Sequence, residues 1–250
     1  MSSSTDSPDA PTEITGRARR MSVGGKLSFR RRVPEIEAEG LPLLDCGDNP
    51  PHLDDLVPPG FDKVAIEVGP GKGAFLCAAG EARPDTFFVG IEAAPSYATY
   101  TASQVQEQEV ENALVLIDNA VLFLRDRVEP HSLDRVHVLF PDPWPKRRHR
   151  GRRFFHDGID ETLHRVLHPD GALCVATDNP GYGGQIARVL GCSPLFQRDE
   201  RLENELIDNG PGHAFSPTNF ERKYLIEGRV IRRFAFRPLT TNHHRDGVDD

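Results

Sequence analysis

Short apolar runs alternate with longer segments of helical spacing through most of the chain. Five runs resemble buried strands, namely Val64–Val68, Phe87–Glu92, Ala113–Ile117, Arg135–Phe140 and Ala172–Thr177. Five segments between or after them have the spacing of helices, namely Ala74–Ala82, Pro95–Gln108, Ala120–Val128, Phe154–Leu167 and Asn179–Leu190. This alternation predicts βαβ units, and therefore an α/β fold with a doubly wound, mostly parallel sheet that helices cover on both faces.

The ends of the chain lack this pattern. Residues 1–60 begin with a stretch rich in Ser, Thr, Pro and Asp and continue with basic residues, prolines and glycines, which predicts a flexible tail and a basic arm. We therefore expect one domain over residues 61–237, followed by a C-terminal tail over residues 238–250. A last apolar run within Arg229–Arg237 predicts a further strand at the edge of the sheet.

Charge is distributed unevenly along the 250 residues, whose net charge is −8. Residues 17–32 hold seven Lys or Arg and residues 146–153 hold six, and neither stretch contains an acid. An acidic body with two basic strips can repel polyanions in general and still bind one in a defined place. The alternative interpretation is a pair of solvated charge runs, which suits residues 17–32 better than residues 146–153.

The remaining composition excludes several classes of protein. No apolar run approaches the length of a membrane span, and the N-terminus lacks the apolar segment of a signal peptide, so no membrane association is expected. The four cysteines are far apart and form no C-x-x-C pair. We therefore expect neither a disulfide framework nor a metal site, and a cytoplasmic setting.

A glycine-rich turn follows the first predicted strand. Glu67 begins the sequence E-V-G-P-G-K-G, in which Gly69, Gly71 and Gly73 let the backbone approach a ligand closely. A second acid, Glu92, ends the second predicted strand, where it can bind ribose hydroxyls. Each feature alone is weak, but together they indicate a nucleoside cofactor.

The segment at the end of the fourth predicted strand gives the strongest indication of function in the sequence. It reads LFPDPWPKRRHRGRRFFH over residues 139–156. Three prolines restrain the loop that holds Asp142 and Trp144, and a dense cationic strip follows directly. A carboxylate and a flat aromatic ring in a stiff loop beside such a strip indicate chemistry on a group carried by a polyanion.

The glycine turn and its acids resemble the cofactor site of class I S-adenosylmethionine-dependent methyltransferases, where acid-x-G-x-G-x-G opens the site. This resemblance implies a Rossmann-like sheet of the class I methyltransferase type and S-adenosyl-L-methionine as cofactor. In that class the acid of the second strand holds the ribose, as Glu92 would here. A residue after the third strand contacts the adenine, and that position matches Asn119.

A more specific resemblance is to the bacterial tRNA (guanine-N7-)-methyltransferases, whose hallmark is F-P-D-P-W-x-K-x-R-H followed by basic residues. Two further motifs match in order. They are Ala176-Thr177-Asp178 after the fifth strand and Thr218-Asn219-Phe220-Glu221, which corresponds to T-x-[FY]-E. The match spans about Leu27 to Phe236. It implies methyl transfer to N7 of a guanosine in tRNA, at nucleotide position 46 of the variable loop.

The resemblance also implies a role for each site residue. Asp142 is expected to be catalytic and to lie near the methyl donor. The remaining cofactor contacts are expected from Glu67, Gly69, Gly71, Gly73, Glu92 and Asn119. The RNA substrate is expected to contact Lys146, Asp178, Thr218, Asn219, Phe220 and Glu221, and its backbone to contact Arg148, His149, Arg150, Gly151, Arg152 and Arg153.

Several alternatives remain open. Trp144 is either a packing anchor or a base-stacking ring, and Thr218 with Glu221 is either a substrate contact or a helix capping pair. Gly151 stands where many family members carry a polar or basic side chain, and Asn119 stands where many carry Asp.

Two other functions also remain open. One is a class I N-methyltransferase that acts on other RNA, on DNA or on protein, since D-P-W is similar to the [DN]-P-P-[FY] loop of amine and amide methylating enzymes. The other is a tRNA-binding protein that has lost catalysis. The expected partner is tRNA, and the protein is expected to be a monomer or a homodimer.

Overall fold

A computed structural model of the chain describes residues 33–207 and 219–239. Within them lie eight strands: β1 Leu43–Asp45, β2 Lys63–Val68, β3 Thr86–Glu92, β4 Ala113–Ile117, β5 Leu133–Leu139, β6 Leu167–Thr177, β7 Phe196–Arg198 and β8 Arg232–Pro238. The same residues form seven α-helices: α1 Ala74–Ala82, α2 Pro95–Glu107, α3 Ala120–Asp126, α4 Ile159–Val166, α5 Pro180–Gly191, α6 Glu200–Ile207 and α7 Asn219–Ile226. Short 3-10 helices cover Leu53–Asp55 and Arg147–Arg152.

The strands form one sheet in the order β1-β4-β3-β2-β5-β6-β8-β7. All neighbouring pairs from β1 to β6 are parallel, whereas β8 is antiparallel to both β6 and β7. The strand order reverses between β2 and β5. Ligands of open α/β sheets bind in the crevice outside the carboxyl ends of the strands at such a reversal, so the topology indicates where a site should lie.

Helices cover both faces of the sheet, as parallel strands require. Successive residues of β3 show the alternation: Phe87, Val89 and Ile91 pack into the core formed with α3, α4 and α5, while Phe88 packs into the core formed with α1 and α2. Each fully buried side chain of this size contributes about 1.5–3 kcal/mol through removal from water. The predicted Rossmann-like, doubly wound architecture is therefore confirmed.

Two predicted elements begin five residues away from their predicted starts. The helix expected from Phe154 begins at Ile159, because Gly158 adopts a left-handed φ of 91° at its start and Phe154 and Phe155 are buried in the preceding segment. The strand expected from Ala172 begins at Leu167, directly after that helix.

The strand predicted near the C-terminus is present as β8, but its predicted position at the edge of the sheet is wrong. β8 pairs with β6 on one side and with β7 on the other, so β7 forms the edge. β7 has three residues, too few for an alternating pattern to reveal it in the sequence.

A strand also lies in the segment that precedes the predicted domain. β1 pairs in parallel with β4, and the buried Leu53 that follows it donates its backbone N–H to the Arg127 carbonyl at 2.8 Å. The predicted tail and arm up to residue 32, and the tail from residue 240, lie outside the described residues. In the described part of the chain, no helix has the length and apolar character needed to cross a membrane.

Candidate active site

Acidic and glycine residues meet at the carboxyl ends of the central strands. Glu67 near the end of β2 lies beside Gly90 of β3 and His137 of β5, and Glu92 at the end of β3 lies beside Ile117 of β4. Neighbouring parallel strands end at the same edge of a sheet, so these side chains share one edge with the loops that follow β4, β5 and β6.

The glycine turn after β2 is fixed in a conformation that other residues rarely adopt. Gly69, Gly71 and Gly73 have φ angles of 69°, 63° and 76°. The Gly69 N–H donates to the Ile91 carbonyl at 2.9 Å, and the buried Thr101 hydroxyl donates to the Gly71 carbonyl at 3.0 Å. The turn is therefore tied to β3 and α2 by hydrogen bonds within the protein.

Two glutamates form an acidic pair beside this turn. Glu67 and Glu92 are both buried, and the Glu92 carboxylate accepts from the Ala94 N–H at 3.1 Å. Burial, and secondarily the negative charge of Glu92, raises the pKa of Glu67 to about 8. Such a perturbed carboxyl at the sheet edge is typical of a binding site.

The loop after β4 holds a third acid that the sequence did not single out. Asp118 Oδ2 is buried without a hydrogen-bond partner in the described residues, and burial raises the pKa of Asp118. Asn119, the predicted adenine contact, caps α3: its side-chain oxygen accepts from Val121 N at 3.0 Å and from Leu122 N at 3.4 Å. Asp118 is thus the better placed acceptor at this strand end.

These features fit the cofactor that the glycine turn predicts. Glu67 Oε2 and Asp118 Oδ2 accept no hydrogen bond from the described residues, although a buried polar atom normally has a partner. S-adenosylmethionine offers hydroxyl and amino donors and a positive charge. In the described part of the chain, no cluster of three or more His, Cys, Asp or Glu side chains is arranged to bind a metal ion.

The loop after β5 carries Asp142 at this same edge. Phe140 and Trp144 on either side of it have positive φ angles of 52° and 39°, which are unusual for non-glycine residues. The Phe140 N–H donates to the Ala176 carbonyl at 2.7 Å and so continues the pairing of β5 with β6. Asp142 and Trp144 are half-buried in this loop.

The cationic strip follows as a 3-10 helix over Arg147–Arg152. Most of its side chains are exposed, among them Lys146, Arg148, Arg150 and Arg152. The Arg152 guanidinium lies over the Trp144 ring at 5.1 Å, and the His149 ring meets the same indole edge-on at 5.8 Å. Partial burial and the neighbouring cations lower the pKa of His149. The exposed cations around His149 suit a polyanion at this surface.

Two members of the strip differ from their neighbours. Gly151 is exposed, and a Cβ there would meet no atom within 4 Å. The sequence predicts that Arg153 contacts the RNA backbone, but its side chain is buried, and its Nε donates to the Pro143 carbonyl at 2.7 Å. Its guanidinium lies 4.8 Å from the centre of the buried Tyr182 ring. The structure therefore corrects the assignment of Arg153, because the side chain is directed into the protein.

Asp178, after β6, lies close to a small aromatic group. Its carboxylate accepts from Arg229 Nη1 at 2.7 Å, and the Arg229 guanidinium stacks 4.4 Å from the centre of the Tyr224 ring. The Tyr224 ring in turn lies 5.6 Å from that of Phe140, at the start of the Asp142 loop. Thr218 lies outside the described residues, and the structure describes the backbone but not the side chains of Asn219, Phe220 and Glu221.

Sequence comparisons show that this chain is similar to known methyltransferases. A family model described as "Putative methyltransferase" matches residues 62–234. The tRNA (guanine-N(7)-)-methyltransferase of Burkholderia pseudomallei (strain 1710b) is 32% identical over 222 residues, which cover 88% of this chain and 79% of that protein. The protein of the same name from Nitrosomonas europaea is 30% identical over 201 residues, which cover 79% of this chain and 84% of that protein.

Among solved structures, the aminoglycoside resistance methyltransferase NpmB1 matches with a TM-score of 0.45 and 22% identity, over 72% of this chain and 89% of that chain. The family assignment rests on the sequence matches. These matches cover the glycine turn, the Asp142 loop and the cationic strip, and they show that the chain belongs to the tRNA (guanine-N7-)-methyltransferase family.

Proposed function

We propose that this protein transfers a methyl group from S-adenosyl-L-methionine to N7 of a guanosine in tRNA, at nucleotide position 46 of the variable loop. The observation that carries the proposal is the juxtaposition of an acidic glycine-turn site with the Asp142 loop and a strip of exposed cations. Family membership supports the reaction. The nucleotide position follows from the sequence resemblance. Because tRNA is the substrate, we also propose a cytoplasmic location.

The reaction requires alignment more than proton transfer. Guanine N7 has a lone pair in the plane of the ring and carries no proton, so no strong general base is needed. When bound, S-adenosylmethionine supplies an electrophilic methyl group. The task of the protein is to hold N7 in line with that group, which is catalysis by positioning.

Asp142 has an electrostatic role in this scheme. Positive charge develops on the purine ring as N7 is methylated, and a fixed carboxylate beside the ring stabilises that charge. The gain in rate depends on a stronger interaction with the developing charge than with the reactants before transfer. The positive φ angles of Phe140 and Trp144 indicate a loop held in one conformation, as this role requires.

The cofactor would be held by the acidic edge. Glu92 is placed to accept from the ribose hydroxyls, and Gly69, Gly71 and Gly73 permit close approach of the backbone. Glu67 and Asp118 each have a buried oxygen without a hydrogen-bond partner among the described residues, which a polar group of the cofactor would supply. Asn119 caps the start of α3 and thereby fixes the position of the loop that holds Asp118.

The RNA would lie across the exposed strip. Lys146, Arg148, Arg150 and Arg152 supply phosphate contacts, and His149 and Gly151 adjoin the same stretch of RNA backbone. We assign contacts with the substrate nucleotide to Asp178 and to the motif Thr218, Asn219, Phe220 and Glu221. An acidic protein with this cationic strip in its described part directs an RNA backbone to that surface.

The test is direct mapping of the product. The purified protein is incubated with S-adenosylmethionine and an unmodified tRNA transcript, and 7-methylguanosine is located by chain cleavage at the modified base. A transcript with adenosine at position 46 is the matched control. Product at position 46 alone supports the proposal, and product at another guanosine contradicts the assigned position.

Parallel incubations with DNA and with protein acceptors separate the two remaining alternatives. Methyl transfer to one of these acceptors but not to tRNA would favour a class I N-methyltransferase of different specificity. Tight tRNA binding without cofactor binding or transfer would indicate a protein that has lost catalysis.

A further inference from the structure

The Asp142 loop needs support that its own backbone cannot supply. Pro141, Pro143 and Pro145 have no N–H to donate, so few hydrogen bonds can originate within the loop. Its two residues with positive φ, Phe140 and Trp144, adopt a conformation that costs about 1–3 kcal/mol and persists only where the surroundings impose it. The β6 carbonyl of Ala176 holds Phe140. A different group must hold Trp144.

Arg153 is the group in contact with that end of the loop. Its Nε donates to the Pro143 carbonyl at 2.7 Å, and its Nη2 makes a longer contact of 3.5 Å with the Trp144 carbonyl. These are the carbonyls on either side of the Trp144 residue. The third arm of the guanidinium, Nη1, donates to Gln185 Oε1 on α5.

The partners of Arg153 are themselves fixed. Gln185 Nε2 donates to the Phe155 carbonyl, and the Phe155 N–H donates to the Tyr182 hydroxyl at 3.2 Å. Tyr182 is fully buried, and its ring packs against the guanidinium. Asn179 caps the start of the same helix through the Tyr182 N–H at 2.8 Å. Arg153 therefore connects the loop after β5 to the helix after β6.

We propose that Arg153, held by Gln185 and Tyr182, is a positioning residue that fixes the Trp144 end of the loop and thereby aims Asp142 at the acceptor base. The inference rests on the proposed role of Asp142. Its chemical basis is the planar guanidinium, whose donors point in three directions at once, whereas a lysine ammonium at the same place is a single point of contact. Without this contact Trp144 relaxes toward negative φ, and Asp142, two residues earlier in the same loop, turns with it.

Gln185→Leu is the main test, because it removes the support of Arg153 and leaves every loop residue unchanged. Trp144 is the only tryptophan of the chain, so its fluorescence reports the loop directly. We expect greater quenching by acrylamide and single-turnover methyl transfer slowed about tenfold or more, since small misplacements of reacting groups are costly. Affinity for S-adenosylmethionine and the salt dependence of tRNA binding should stay within about twofold of wild type.

The matched control is Arg188→Gln on the same helix. Arg188 is exposed and pairs with Asp157 at the surface, so its loss should change neither quenching nor transfer. Arg153→Lys tests the geometry, because it keeps the charge but cannot donate in three directions. We expect this variant to behave like Gln185→Leu. Arg153→Met removes both the charge and the donors. If it fails to fold, Gln185→Leu and Arg153→Lys still decide the question.

Wild-type quenching and wild-type transfer in both Gln185→Leu and Arg153→Lys would overturn the inference. A flatter salt dependence of tRNA binding in the uncharged Arg153→Met variant would also overturn it, because Arg153 would then be a phosphate contact. An inactive Asp142→Asn protein beside fully active Gln185 and Arg153 variants would reject the inference and keep the proposed function. An active Asp142→Asn protein would reject the role of Asp142, and fluorescence quenching would still test whether Arg153 holds the loop.

Discussion

Replacement of Glu67 by Gln should stabilise the cofactor-free protein, and increasingly so as pH rises. Burial, with a smaller contribution from Glu92, raises the pKa of Glu67 from 4.5 to about 8. Between these values the folded protein keeps the proton that the unfolded chain has lost. The stability of the wild-type protein therefore falls as pH rises through this window, whereas the uncharged glutamine makes no such contribution.

The size of the effect follows from the pKa difference. One pKa unit corresponds to about 1.4 kcal/mol, so the full shift amounts to about 5 kcal/mol at and above pH 8. Water that enters at the sheet edge reduces this figure, and we expect a gain of at least about 2 kcal/mol. For a protein of this size that gain raises the Tm by roughly 4–8 °C at pH 8.

Urea unfolding of both proteins at pH 5, 6.5 and 8 measures the effect, provided that the m-values agree. The difference in unfolding free energy should be small at pH 5 and largest at pH 8. Glu81→Gln, which changes an exposed glutamate on α1, is the matched control and should show no trend with pH. A difference between wild type and Glu67→Gln that does not change with pH would mean that Glu67 is ionised in the folded protein, and the reasoning would fail.

Three further predictions concern the proposed reaction. Glu92→Ala should weaken S-adenosylmethionine binding by about 1.5–3 kcal/mol through loss of a charge-assisted hydrogen bond, and unchanged affinity in calorimetry would place the ribose elsewhere. Neutralising Arg148 and Arg150 together should flatten the slope of log K for tRNA against log salt by roughly 0.7–0.9 for each phosphate that is no longer neutralised, and an identical slope would identify a solvated surface. Asp142→Asn should keep the fold and most tRNA affinity but slow transfer at least about a hundredfold in single-turnover kinetics, and near wild-type transfer would remove the carboxylate from the mechanism.

The central features of the fold were predictable because they depend on local signals. Three glycines at a strand-to-helix turn adopt the positive φ angles that their residue type permits, and α1 begins after Gly73 as predicted. The Asp142 loop was recognisable because prolines restrict the backbone whatever surrounds it. Short elements such as β1 and β7 carry no periodic pattern, and their pairing depends on strands far away in the sequence.

In the candidate site, too, some features could be predicted from local sequence and others depend on distant contacts. In the sequence Arg152 and Arg153 are equivalent members of one cationic run, but Arg152 is exposed and lies over the Trp144 ring, whereas Arg153 is buried. That difference arises from Gln185 and Tyr182 on α5, which no local pattern reveals. Asn119 was expected to meet the adenine, but the start of a helix competes for its side-chain oxygen.

The position of β8 determines when the sheet can be completed during synthesis. β7 leaves the ribosome before β8, yet β8 is its neighbour in the sheet and also covers the outer edge of β6. Until β8 is available, the nascent chain therefore exposes the hydrogen-bonding edge of a long buried strand, which invites pairing with other chains. A polypeptide that stops before Arg232 would contain the glycine turn, the Asp142 loop and the cationic strip, and we expect it to aggregate because that edge stays open.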